Sequence, residues 1–162
     1  TLTSSSAASD VYKRQLMTEA DIEPMIELGA EMHKEGAFAN LDYSYEKCRK
    51  FGPRYLSRPD LNFSMCAEED GEIVGMIMGH LVPYYFGDDF MASDHLWYVK
   101  KEKRGSMIGI RLLKAFSKWA KSKGAKEVCI GVSTNVNTER THKLLSRLGF
   151  DHVGGTYKET VS

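Results

Sequence analysis

Between Val99 and Phe116 the chain reads VKKEKRGSMIGIRLLKAF: four basic residues among the five from Lys100 to Arg104, then Gly105 and Gly109 four apart, then an apolar pattern at helical spacing. The first turn of a helix carries unpaired N–H groups and about half a positive charge, so charge and bare backbone at its mouth suit an anion. The main chain of Arg104, Gly105, Ser106, Met107, Ile108 and Gly109 would offer the donors, and Lys100, Lys101, Lys103 or Arg104 would offer the charge. The competing reading of the basic run is a solvated loop.

A second chemistry lies just upstream. His95 stands four residues before Val99, and in a strand it would share a face with Trp97 and Val99. A histidine with an ordinary pKa suits proton abstraction near neutrality. Asp94 is its neighbour, and a bulge would turn that carboxylate inward instead. A strand histidine with satisfied hydrogen bonds is the plainer alternative. The segment PYYFGDDF (83–90) places Tyr84, Tyr85 and Phe86 beside Asp88 and Asp89. It reads either as an aromatic, acidic rim for a cationic amine or as a hairpin packed by its own rings. Trp97 and Trp119 read as core.

These groups need a scaffold. Thr18 and Asp21 form a weak capping box ahead of a helix over 19–34; Ser44 caps a second helix whose end Pro53 leaves open. Strands are expected at 62–68, 72–82 (joined by an Asp70-Gly71 hairpin turn), 91–99 and 127–133, with closing strands at 150–153 and 156–161. Helices at about 108–123 and 138–148 end at Gly124 and Gly149. The order gives an α/β fold: one domain, a central mixed sheet, helices on both faces.

Bulk properties narrow the function. The 162 residues carry 22 Lys+Arg against 22 Asp+Glu, so no global basic field argues for nucleic acid. The apolar run from Ile73 to Val82 is too short for a membrane span. Cys48, Cys66 and Cys129 have no metal spacing and read as free thiols of a reducing, cytoplasmic setting. No metal site is expected.

Two segments, KRGSMIGIRLL after Val99 and NTERTHKLLSRLGF (137–150), together resemble the GNAT N-acetyltransferase family, from Leu16 to about Val161. The resemblance implies a GNAT-like acyl-CoA N-acyltransferase fold and acetyl transfer from acetyl-CoA to a primary amine, by direct attack in a ternary complex. It implies that the pantetheine arm pairs with the main chain of Tyr98 and Val99, and that Asn137 adds a polar contact, although Asn137 also reads as a turn residue. It makes His95 or Asp94 the base and the Tyr84, Tyr85 and Asp88 segment the substrate contact. Homodimers are common in such a family. Two positions depart from its pattern. Met107 replaces the first glycine of the loop, and Leu145 replaces the tyrosine that commonly protonates the departing thiolate. Ser146 is a weak substitute, so solvent, the incoming amine's proton or another hydroxyl such as Tyr157 would do the job, and a non-catalytic acyl-CoA-binding or regulatory domain is the alternative.

The leader resembles something else. Ser5–Gln15, SSAASDVYKRQ, is similar to the translation of a transposon-type adapter used in sequencing libraries, which points to an environmental, metagenomic read. On that reading Thr1–Gln15 stands outside the native domain of residues 16–162, and only Leu16-Met17 remains of the first strand.

Overall fold

The computed structural model describes residues 12–161. Strand β1 (Tyr12–Leu16) leads through a 3₁₀ turn (Glu19–Asp21) into helices α1 (Ile22–Glu35) and α2 (Tyr45–Leu56). Strands β2 (Asn62–Glu69), β3 (Glu72–Pro83) and β4 (Phe90–Val99) follow. A second 3₁₀ turn (Lys101–Lys103), helix α3 (Ile108–Ser122), strand β5 (Glu127–Cys129) and helix α4 (Thr138–Arg147) complete the order.

Local chemistry accounts for the element ends. Asp21 accepts from both the N–H and the hydroxyl of Thr18, at 2.9 and 3.0 Å, and the Ser44 hydroxyl accepts from the Lys47 N–H. Asp70 and Gly71 both adopt positive φ, 52° and 79°, the geometry a two-residue hairpin needs to match strand twist.

The strands lie in the order β1-β2-β3-β4-β5. All pairings are antiparallel except β4 with β5. On one face α3 buries Leu112, Leu113 and Phe116 against Phe63, Ile77 and Ala92, with Leu145 of α4 in the same cluster. On the other, Met25 and Leu28 of α1 and Tyr55 of α2 meet Cys66, Met76, Met78 and Tyr98. Because β3 is covered on both sides, its residues of both parities are apolar, which explains the run from Ile73 to Val82. No helix among the described residues is long and apolar enough to cross a membrane.

Three expectations change. The leader is not wholly outside the sheet: Tyr12–Gln15 pair with Cys66–Glu69, and the Gln15 amide donates to Asp21 at 3.2 Å. The rest of the leader, residues 1–11, lies outside the described residues. The strand expected over 127–133 stops at Cys129, because the Gly131 N–H donates to the Asp94 carboxylate rather than to a β4 carbonyl. Residues 150–161 form no closing strands; a three-residue β5 offers almost no outer edge to pair with, and Gly154-Gly155 interrupts the segment.

The sheet's centre leaves no room at Gly79. A Cβ there would lie inside contact distance of the Phe116 ring edge and 2.9 Å from the Ser93 carbonyl oxygen. Gly79→Ala should therefore lower stability by about 1–3 kcal/mol, the usual cost of overpacking. Urea unfolding measures this, and an unchanged midpoint would show that α3 can back away from β3.

Candidate active site

The parallel pairing of β4 with β5 covers only Met91–Ser93 against Glu127–Cys129. At the next β4 residue the Asp94 carboxylate takes the Gly131 N–H at 2.8 Å, and beyond it the strands part. Among the described residues, no strand pairs with the outer edge of β4 from His95 to Val99. Which of its groups point outward follows from alternation. The Lys100 N–H donates to the Val74 carbonyl at 2.9 Å, so the main chain of Tyr98 also faces β3, and that of Trp97 and Val99 faces the opening. The Val99 carbonyl agrees with this by accepting from Arg104 Nε at 3.0 Å. The sequence expectation of Tyr98 and Val99 as a pair is corrected accordingly: Val99 is available and Tyr98 is spent on the ladder, with Trp97 in its place.

Helix α3 starts at the mouth of this wedge. Gly105 turns the chain with φ of 90°, which favours glycine. The Ser106 hydroxyl donates to the Lys103 carbonyl at 2.7 Å and receives the Ile108 N–H at 3.4 Å. Gly109 presses on β4: a Cβ there would lie 3.4 Å from Val99 and 3.5 Å from Trp97, whose indole N–H donates to the Gly109 carbonyl. Met107 is 45% exposed, so its side chain stands in solvent at the loop's edge and is not folded into the core.

The basic run is engaged otherwise than expected. Lys100 is nearly buried between Glu72 and, at 3.5 Å, Glu31. Lys103 pairs with Glu69 at 2.5 Å. Arg104 pairs with Glu35 at 2.8 Å and lies over the Tyr98 ring, while the Tyr98 hydroxyl donates to the same carboxylate. These three cations fasten the loop to α1 and to the β2–β3 hairpin. Lys101 is exposed. A cation that sequence reasoning missed is Arg140 of α4, whose Nη2 lies 3.4 Å from where a Gly105 Cβ would sit. Its place one turn into a helix that begins at Asn137 was the available signal. Asn137 itself holds a left-handed conformation, φ 47° and ψ 42°, where α4 begins.

Midway along β4 the register with β3 slips: Asp94 opposes Gly79 and Leu96 opposes Met78, so His95 is an extra residue. The slip turns His95 away from the face it was expected to share with Trp97 and Val99. Its ring stacks on His80 and meets Tyr55 and Phe51 of α2, whereas Trp97 and Val99 pack toward α3. Burial lowers the pKa of His95, and His80 lowers it further. Asp94 does turn inward, but onto Gly131. Burial raises its pKa while the hydrogen bond from Gly131 opposes this. It therefore positions the divergence of the strands.

Other expected groups fall elsewhere. Leu145 is buried in the α3 cluster, Ser146 is exposed, and Tyr157 is fully exposed on the C-terminal segment. Tyr84, Tyr85 and Asp88 sit in the β3–β4 hairpin, about 16 Å along the strand from His95 at about 3.3 Å per residue. Tyr84 donates to Glu127 and stacks on Phe86, and Tyr85 points into solvent at 98% exposure. The rings of this hairpin pack on one another, and a cavity of about 410 Å³ beside them is lined by Tyr84, Phe86, Asp88 and Asp89. A cleft of about 420 Å³ on the α1 face, walled by Asp21, Glu27, Glu31, Glu68 and Glu72, has the wrong charge for a diphosphate.

A family model of the Acetyltransferase (GNAT) family matches residues 25–150. The chain belongs to this family. As a GNAT acetyltransferase it is an acyltransferase with a single-domain mixed sheet. Solved structures share that fold at low identity. AAC(6')-Iy in complex with the bisubstrate analog CoA-S-monomethyl-acetylneamine has a TM-score of 0.72 at 16% identity, covering 93% of this chain and 98% of that one. Glucosamine-6-phosphate N-acetyltransferase from Arabidopsis thaliana gives 0.75 at 14%, covering 93% and 99%. The aminoglycoside acetyltransferase meta-AAC0020 from an uncultured soil metagenomic sample, in complex with sisomicin, gives 0.70 at 16%, covering 94% and 97%. No curated protein sequence matches this GNAT chain.

The Glu35 latch makes a pH prediction. Burial raises the Glu35 carboxyl, but hydrogen bonds from Tyr98 and Arg104 and the charge of Arg104 outweigh it, leaving the pKa below the ordinary value. A depressed carboxylate contributes stability above its unfolded pKa and loses it as pH falls through the folded one. Urea unfolding should thus show Glu35→Gln destabilised most at neutral pH, with the gap closing in acid. A gap that ignores pH would show that charge does not hold the latch.

Proposed function

We propose that the chain transfers an acetyl group from acetyl-CoA to a primary amine by direct attack in a ternary complex. One observation carries this reading: the wedge between β4 and β5 opens at the N terminus of α3 with the Val99 main chain turned into it. A thioester arm laid along that edge would meet the Val99 N–H as an added strand would. Its diphosphate would meet the N–H groups from Gly105 to Gly109, with Arg140 beside them. Arg104 acts here by holding Val99 and Glu35, so its contribution is to shape the loop.

The chemistry is a single displacement. The amine nitrogen attacks the thioester carbon, its proton passes to His95 directly or through water, and the C–S bond breaks to release the thiolate. Charge developing on the carbonyl oxygen is stabilised by a fixed N–H near Val99. With Leu145 buried, the thiolate takes its proton from solvent or from the proton the amine gave up. His95 is the residue at the bulge that is both partly open to solvent and held below the ordinary histidine pKa by burial and by His80, which supports the base role. The half-exposed Phe51 ring beside it suits a cationic amine, which favours a small cation over a protein amine.

Calorimetric titration of the whole chain with acetyl-CoA should give heat, and turnover on a panel of amines should release free thiol. Gly109→Asp puts a carboxylate against Val99 at the diphosphate loop and should abolish binding while a normal thermal melt shows the fold intact. His95→Ala should slow turnover about 100-fold or more. Absence of heat with the wild-type chain overturns the whole reading. Binding without turnover on any amine favours a non-catalytic acyl-CoA-binding domain.

A further inference from the structure

The bulge that displaces His95 also brings it onto another titratable ring. His80 stands on β3 opposite Ser93. The two imidazoles lie 4.0 Å apart between centroids and only 10° from parallel. His80 is the half-buried member, and its Nδ1 is sealed from solvent with no partner among the described residues. His95 is the exposed member.

We propose that His80 is a positioning residue for proton transfer: stacked beneath His95, it disfavours resting charge on the outer ring, so that His95 stays neutral and ready to accept the proton of the attacking amine. The proposal rests on His95 being the base. Its physical ground is that two rings at this separation cannot both be charged without strong repulsion, so the pair titrates as a unit in two separated steps. The order of the steps follows from the surroundings. A hydrogen bond with the Ser93 main chain favours the charged form of His80, although burial outweighs it and lowers the pKa overall. His95 has no such aid, and the charge of His80 adds to its desolvation.

From α2 the rings meet Phe51 and Tyr55, and the Tyr55 hydroxyl is spent on the Gly79 carbonyl. From β2 the residue opposite His80 is Asn62, whose amide donates to the Tyr55 carbonyl. From β4 Asp94 is committed to Gly131. Apart from the Asp94 carboxylate these groups are neutral, and the charge that acts on His95 is that of His80.

Imidazole NMR titration of the whole chain tests this without reference to turnover. In the wild type the two rings should show coupled, two-step curves, with His95 titrating below an ordinary histidine. In His80→Phe, which keeps an uncharged ring in the stack, the His95 midpoint should move upward. The acid limb of the kcat/KM profile should move upward with it, lowering activity in mild acid relative to the alkaline plateau by about twofold or more. His80→Gln should shift both in the same direction and serves if the phenylalanine variant does not fold. Independent single-step curves in the wild type, or an unmoved His95 midpoint in a folded variant, would overturn the proposal. If the coupling is present but His95→Ala leaves the pH–rate profile unaltered, the pair stands as a charge-sharing unit and its catalytic use is refuted.

Discussion

The site depends on one hydrogen bond at a fork. Two parallel strands would continue to pair if nothing stopped them, because each unpaired N–H and C=O is costly. Here the Asp94 side chain takes the Gly131 N–H in place of a main-chain acceptor, and the ladder ends after three residues. Everything downstream on β4 is left with an open edge on a buried strand. Such an edge is ordinarily a liability that proteins blunt or cover. The burial of Asp94 is tolerable because its oxygen has a fixed donor.

A second constraint works at the strand's far end. Four cations among five residues would repel one another on a short loop, yet Lys100, Lys103 and Arg104 each meet a carboxylate from a different part of the chain. The balance of 22 basic and 22 acidic residues is therefore partly local pairing around this turn. Arg104 also binds the Val99 carbonyl, so the same network fixes the loop's course and the orientation of the outward-facing backbone. Lys101 of the same run stays exposed, and Arg140 of α4 lies against Gly105.

Much of this was legible in the sequence because it rests on short-range patterns. The helical spacing of Ile108, Leu112 and Phe116, the Ser44 cap and the Asp70-Gly71 turn each specify local geometry, and each formed where expected. The loop between Gly105 and Gly109 was legible for the same reason. What failed was long-range or depended on parity. A single extra residue at His95 reversed the face of its side chain, and no composition marks a bulge. The carboxylate partners of the basic run are remote along the chain, 28 positions separating Lys100 from Glu72 and 69 separating Arg104 from Glu35, so no local spacing announces them. Arg140 was passed over because its neighbour Gly105 is distant in the chain and close only in the fold. The missing closing strands reflect a segment with strand-like residues but no edge on which to pair.

The first strand carries a different lesson. In β1 the side chains of Lys13, Arg14 and Leu16 are exposed, and what joins the segment to β2 is its backbone in antiparallel register. Amide-to-carbonyl pairing reads extended shape and is nearly blind to side-chain identity. The outermost strand of this sheet is thus moored mainly by its main chain, with the Gln15 amide and the Arg14 guanidinium adding ties to Asp21 and to the Arg111 carbonyl of α3.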